Sequence, residues 1–402
     1  MAASGIFSGV RVIELAQFVY VPGAGVMMAD QGAEVIKIET IEGDPYRTLK
    51  IAGASRDLGD INVAMEQNNR NKKSVALDLK TEEGREALLK LVEKADVFLT
   101  SLRPKAITGL RLDVEDLRAR NPKIIYARGN GVGFKGPEAN RPGFDASAFW
   151  ARGGAGYAFT RPGEQLTSPR SAFGDHTGSI ALAFGIASAL FHRERTGEAT
   201  VVENSLLSTA AWVLSGDITM TNLPGYETHP ATRPQVALMS TYLTSDKAMI
   251  QLMILNPEPA WPRVCQALDM ADLEHDPRYA THEARIANAD TLMPLMQAKF
   301  ATKTFAEWKP VLESIDIPWE KIASIHDVAE DPQALVNGMI RTMDVRSTPL
   351  RIVAGPTAFD GALFDHEPEP SPPLGAHTAQ VLAEAGYTPD QIADLQQRAV
   401  AR

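Results

Sequence analysis

The stretch VRVIELAQFVYVPGAGVMMADQGAEVIKIE, Val10 to Glu39, decides the fold. Two runs rich in β-branched residues, VRVIEL (Val10 to Leu15) and EVIKIE (Glu34 to Glu39), flank a Gly/Met/Ala segment that ends near Gln31. Strand, helix, strand is the grammar of a βαβ unit, whose strands pair in parallel. The same grammar continues outward. SVALDL (Ser74 to Leu79) reads as a strand, and TEEGREALLKLVEKA as a helix capped by Thr81 with Glu82 and Glu83 in its first turn. DVFLTSL supplies another strand, Asp113 opens a further helix, and KIIYARG (Lys123 to Gly129) closes the series. The pattern predicts a mostly parallel sheet flanked by helices, with ligand sites in the loops at the carboxyl ends of its strands.

The large domain is therefore expected to be α/β and Rossmann-like. From Gly178 to His192, and again from Glu203 to about Leu214, the chain is apolar on nearly every side and reads as buried helix. A break follows at LPGYETHPATRP (Leu223 to Pro234), after which STYLTSDKAMIQLMIL reads as a hairpin turning near Ser245 to Lys247. Helices are expected around Ala260 to Met270, Thr291 to Thr302 and Ala306 to Ser314, and a final one from His377 to Ala385 follows the Pro-rich EPEPSPPLGAHT. The boundaries this gives are a large domain over residues 1–224, a small α+β domain over 225–330 and a C-terminal segment over 331–402.

Composition narrows the function. With 402 residues, 44% of them hydrophobic and 22% charged, the chain can bury a large core. A net charge of −10 argues against nucleic acid as a partner, although Arg70, Lys72 and Lys73 form a local basic cluster fit for phosphates. No run reaches the ~18 apolar residues of a membrane span and the N-terminal residues lack a signal pattern, so the expected address is the cytoplasm, away from membranes. The single cysteine, Cys265, excludes a disulfide framework and a Cys-rich metal site, and no H-E-x-x-H or G-x-S-x-G pattern occurs. Gly131, Gly133 and Gly136 satisfy G-x-G-x-x-G, but Pro137 and Pro142 forbid the helix that a dinucleotide's pyrophosphate needs. No metal is expected.

One carboxylate stands out. In SAFGDHTGSIALAFGIASALFHRERTG (Ser171 to Gly197), Asp175 lies in front of a long apolar run. It reads as the N-cap of that helix. It also reads as a nucleophile, because a helix N-terminus favours the charged carboxylate, and Gly174 and Gly178 would let a bulky thioester approach the backbone.

The chain resembles the class III CoA-transferases, the group of formyl-CoA transferase and carnitine CoA-transferase. The resemblance runs through Val10 to Thr40 with GDPYR after it, NRNKKSVALDLKTEEGREAL, LRPKAI, NPKIIYARGNGVG, RPGFD, GDHTG with ALFHRERTGEA, and the C-terminal DPQALVNGMI and LGAHTAQVL. It implies that the C-terminal segment returns to the large domain and that two chains form an interlocked homodimer. It also implies that CoA passes from an acyl-CoA donor to a carboxylic acid acceptor, with coenzyme A needed only as part of the substrate. Asp175 would form an aspartyl anhydride and then an enzyme-bound CoA thioester. CoA contacts would map onto Val19 and Tyr20, onto Asn69, Arg70, Asn71 and Lys72, onto Ser101, Leu102 and Arg103, and onto Gly143 and Phe144. Thr40 and Gly109 stand where formyl-CoA transferase has arginines, which leaves the grip on the CoA phosphates unassigned.

Two rival functions share the scaffold. α-Methylacyl-CoA racemase keeps the aspartate but needs a second acid/base. Its histidine is replaced here by Phe144, which carries no exchangeable proton, while His176 keeps the question open. A non-catalytic CoA-ester binding protein is the other rival. The loop expected near Leu223 to Met239 offers only Gly225, against a formyl or oxalyl substrate, and VALMSTYL (Val236 to Leu243) reads either as the wall of a larger acyl pocket or as a core strand.

Overall fold

The computed structural model describes residues 5–49, 57–59, 61–160, 163–226 and 235–402. They divide into two compact units, Met1–Thr228 with Pro332–Arg402, and His229–Asp331.

The first unit is built on a six-stranded sheet. In chain order its elements begin with β1 (Arg11–Leu15), α1 (Tyr20–Asp30) and β2 (Glu34–Glu39), then a short hairpin of β3 (Asp57–Leu58) and β4 (Ile61–Asn62). Next come α2 (Val63–Asn69), β5 (Lys73–Ala76), α3 (Glu82–Val92), β6 (Val97–Thr100), α4 (Pro104–Leu110), α5 (Val114–Arg118) and β7 (Ile125–Asn130). A π-helical turn, Asp145–Arg152, precedes α6 (Ala155–Ala158), α7 (Phe173–Thr196), β8 (Val201–Ser205), α8 (Leu206–Val213) and α9 (Ser215–Met220). The sheet order is β5-β2-β1-β6-β7-β8, and every neighbouring pair is parallel.

Apolar side chains fill both faces of this sheet, as a parallel sheet requires. On one face α1 and α7 contribute Val21, Ala24, Met28, Leu182 and Ile186. On the other, Leu88 and Leu91 of α3 meet Leu382 and Leu395 from the C-terminal segment, which thus returns to the first unit. Thr81 caps α3 by accepting from Gly84 N–H at 3.1 Å, and Asp113 opens α5 in a capping box with Asp116. The chain from Glu203 departs from the helix expected there. Val201 and Val202 favour extended backbone, the strand runs to Ser205, and Ser205 then caps α8 by accepting from Ser208 N–H at 3.0 Å.

In the second unit, β9 (Thr241–Leu243) and β10 (Met249–Leu252) form the expected hairpin, with Lys247 at φ 66° in its turn, and β11 (Trp319–Lys321) pairs on the other edge. Helices Pro257–Ala267, Ala289–Phe300 and Phe305–Glu313 pack on it. Ala237, Leu238 and Tyr242 of VALMSTYL lie in this core, Leu243 is 42% exposed, and Cys265 is buried in the same core. Residues 227–234 of the expected active-site loop lie outside the described residues.

After Asp331 come the hairpin of β12 (Ile340–Val345) and β13 (Thr348–Val353) and the expected helix, Thr378–Glu384. A second helix that the sequence reading passed over, Pro389–Gln397, is capped by Thr388. Among the described residues, no helix is long and apolar enough to cross a membrane.

Candidate active site

Helix α7 begins with Ala172 at the N-cap position, in the left-handed region at φ 60° and ψ 20°. Asp175 is the third residue inside the helix, so the expectation that it starts the helix is corrected. The capping carboxylate arrives from elsewhere. Asp145, the last residue of RPGFD, accepts from the Gly174 N–H with both oxygens at 3.1 Å. A Cβ on Gly174 would lie 2.3 Å from the Phe149 ring and 2.5 Å from Asp145 Oδ1, and one on Gly178 would lie 2.6 Å from the Tyr20 ring. These glycines make room for the protein's own groups rather than for a thioester.

With the cap filled by Asp145, the Asp175 carboxyl is left without the N-terminal hydrogen bonds that would hold it charged. Its pKa is pushed up to about 7, first by burial and then by the charge of Asp145. This corrects the expectation of a carboxylate stabilised in its ionised form. Burial and the nearby Asp175 raise the Tyr20 phenol well above its ordinary range; burial, Asp175 and Asp44 push Tyr46 up to about 12. Both tyrosines therefore face Asp175 as neutral phenols. Tyr20 donates to Asn204 Oδ1. His176 Nε2 lies 3.1 Å from Asn68 Oδ1, and burial followed by the Arg70 charge lowers its pKa below the usual imidazole value.

Two cavities flank the turn Pro45–Arg47. One, of about 400 Å³, lies beyond the carboxyl ends of β1, β2 and β5 and is lined by Gln17, Thr40, Ile41, Asp78, Lys80 and Leu102. The other, of about 980 Å³, runs along α7 between Tyr46, Asn68, His176, Ile180 and Val353. Asp44, which accepts from Tyr46 N–H at 2.9 Å, lines the first, and Tyr46 lines the second.

The sequence-derived CoA contacts fare unevenly. Leu102 lines the smaller cavity, and Ser101 Oγ accepts at 3.0 Å from the N–H of Gln17, which also lines it. Arg103 is exposed and donates to the Asn140 carbonyl at 3.1 Å. Gly143 backs onto Gly131, and Phe144 is 59% exposed, edge-on to Phe18. Val19 and Tyr20 are buried at the start of α1.

The Asn69 to Lys72 assignment is a correction. The Arg70 guanidinium grips Asp30 at 3.0 and 2.6 Å and donates to the Gln67 and Val353 carbonyls. Asn71 donates to Asp30 at 2.8 Å, and Lys72 Nζ meets both Glu14 oxygens, the Pro22 carbonyl and Asn69 Oδ1 within 3.2 Å. Lys73 pairs with Glu34 at 2.6 Å. These donors are all spent inside the protein, because a buried cation persists only when paired. The polar groups that do line the smaller cavity, Gln17, Asp78 and Lys80, escaped the sequence reading, although they follow strand carboxyl ends, where the topology puts ligands. Thr40 also lines it, with its hydroxyl donating to the Gly43 carbonyl at 3.1 Å. Among the described residues, no group of three or more metal-ligating side chains occurs.

The chain belongs to CoA-transferase family III, whose model matches residues 7–378, and it is a CoA-transferase. It is 33% identical over 399 residues to (R)-2-hydroxy-4-methylpentanoate CoA-transferase of Clostridioides difficile, covering 99% of this chain and 100% of that one. Cinnamoyl-CoA:phenyllactate CoA-transferase of Clostridium sporogenes is 33% identical over 401 residues, covering 98% and 96%. The crystal structure of a CAIB/BAIF family protein from Brucella suis matches with a TM-score of 0.82 at 29% identity, covering 95% of this chain and 100% of that one.

Proposed function

We propose that Asp175 is the nucleophile of a CoA transfer between two carboxylic acids. Its carboxylate oxygen attacks the thioester carbonyl of an acyl-CoA; the carbon–sulfur bond breaks, and CoA leaves as thiolate, giving an aspartyl acyl anhydride. The thiolate attacks the aspartyl carbonyl and releases the donor acid, leaving CoA on Asp175 as a thioester. The acceptor carboxylate displaces this CoA to form a second anhydride. Attack of CoA on the acceptor's carbonyl then yields the new acyl-CoA and frees Asp175. The observation that carries this reading is the division of labour between two aspartates, in which Asp145 caps α7 and the Asp175 carboxyl has no hydrogen-bond partner among the described residues.

CoA is assigned to the smaller cavity and the acyl group to the larger. The size of the larger cavity favours acids with a bulky apolar tail, in keeping with the 4-methylpentanoate, cinnamoyl and phenyllactate of the relatives' names. A racemase is disfavoured because Phe144 offers no proton. The test is mass spectrometry after incubation with a panel of acyl-CoAs and hydroxylamine. A CoA-sized adduct or hydroxamate on Asp175 is expected; an unlabelled Asp175 with deuterium entering the α-carbon of a branched acyl-CoA would replace transfer by racemisation.

We also propose a homodimer, interlocked as the family resemblance implies. Support comes from α7 to α9, which leave Phe184 74% and Trp212 80% exposed, with Ile180, Phe191 and Ile218 also uncovered.

A further inference from the structure

Beside the smaller cavity lies a cluster of buried charges that the proposed chemistry leaves unused. Two buried lysines share the buried Glu14 carboxylate, Lys72 Nζ at 2.8 Å and Lys37 Nζ at 3.4 Å. Neither lysine lines the smaller cavity, and their remaining partners differ. Lys72 donates to the Pro22 carbonyl and to Asn69 Oδ1, at 2.9 and 3.2 Å, and neither residue lines that cavity. Lys37 donates to the Ala16 carbonyl at 2.8 Å and faces the buried, otherwise unpartnered Asp44 Oδ2 at 2.9 Å; Ala16 and Asp44 both line it.

Asp44 carries the link further. Its Oδ1 accepts from Tyr46 N–H at 2.9 Å and from Phe18 N–H at 3.4 Å. Its own N–H donates at 3.0 Å to Glu39, which also takes two bonds of 2.7 Å from the Arg47 guanidinium. The loop after β1, residues 16–18, and the loop after β2, residues 40–47, are thus tied together through Lys37 and Asp44. Burial opposes the Lys37 charge, but Asp44, Glu14 and Glu39 outweigh it and raise its pKa, so the tie stays charged; burial pulls Lys72 down to about 8. The two loops supply Ala16, Gln17, Thr40, Ile41 and Glu42 to the cavity wall. A wall made of loops keeps a binding shape only where supporting side chains lock it. We propose that Lys37 and Asp44 are positioning residues, a buried ion pair that holds the two strand-end loops at the spacing CoA needs. This rests on the assignment of CoA to the smaller cavity.

Asp44→Asn separates positioning from direct electrostatics by sign. Removing an anion beside a ligand that carries phosphates strengthens binding through charge alone, whereas loosened loops weaken it. The amide keeps an acceptor for the Tyr46 and Phe18 N–H groups but turns a donor toward Lys37, which breaks the pair at constant size. Titration calorimetry with free coenzyme A should show Asp44→Asn binding about tenfold more weakly. Lys37→Met should lose a similar factor and the double variant no more, because the pair acts as one unit. Lys72→Met, which removes an equally buried cation without touching the loops, should stay within about twofold of the unsubstituted protein. In turnover the loss should appear as a raised KM for acyl-CoA with kcat nearly unchanged. Tighter or unchanged binding by Asp44→Asn would overturn the proposal, as would an equal loss in Lys72→Met. Should Lys37→Met fail to fold, the sign in Asp44→Asn still decides. Thr40→Trp, which adds bulk to the cavity lining, tests the CoA assignment separately. Binding lost there but kept in full by Asp44→Asn removes the positioning role alone; binding undiminished by Thr40→Trp removes the cavity assignment and the positioning role with it.

Discussion

The Asp175 pKa is pushed up to about 7 by desolvation of a half-buried carboxyl and by the charge of Asp145, and only its ionised form can attack a thioester. The kcat/KM of the free enzyme should therefore rise with pH through about 7. Asp145→Asn keeps a capping side chain but removes the charge, so it should shift that rise to lower pH by up to ~1 unit. The same coupling appears in stability. The folded pKa lies above the unfolded one, so folding holds the proton more tightly; the cost of charging Asp175 is absent near pH 4 and accumulates as pH climbs through the folded value. Asp175→Asn should thus abolish turnover while stabilising the protein by on the order of 2 kcal/mol at pH 8, with little gain at pH 4, as read from urea unfolding. The position of Asp175 was legible from GDHTG and its apolar run. The cap from Asp145 was not, because it is a tertiary contact that no local pattern announces.

At the level of elements, α7 is a helix whose glycines are set by what touches them. Gly→Ala ordinarily gains up to ~1 kcal/mol in a helix. Gly174→Ala should instead cost ~1–2 kcal/mol, because its Cβ meets the Phe149 ring, whereas Gly216→Ala in α9, with nothing within 4 Å, should stabilise. Thermal midpoints of the two variants check the opposite signs. The loop from Asn69 to Lys72 answers similarly. Lys72→Met leaves Glu14 with only the longer Lys37 contact at 3.4 Å, and should cost up to ~3 kcal/mol in denaturant titrations without weakening CoA binding by the folded fraction. The βαβ elements could be read because β-branched runs alternate with helical periods. The β12–β13 hairpin could not, since its turn places Arg346 at φ 53° and Ser347 at φ 64°, without the glycine or asparagine that marks such turns.

For the whole molecule, the uncovered side chains of α7 to α9 predict association. The protein should sediment with the mass of two chains, and the Phe184→Glu, Trp212→Glu double variant should shift toward the mass of one. The C-terminal segment has a different role. It lies along β5, the border strand of the sheet: His377 N–H donates to the Ser74 carbonyl, Thr378 Oγ1 accepts from Ala76 N–H, and Ala401 bridges Leu77. The partners of Ser74 and Ala76 lie 303 and 302 residues further along the chain. At ~5–20 residues per second, a ribosome finishes β5 some tens of seconds before it makes the segment that covers it. Through that interval the nascent chain carries a bare strand edge, the kind of surface that pairs with other chains. Efficient production of this enzyme therefore depends on whatever shields that edge during translation.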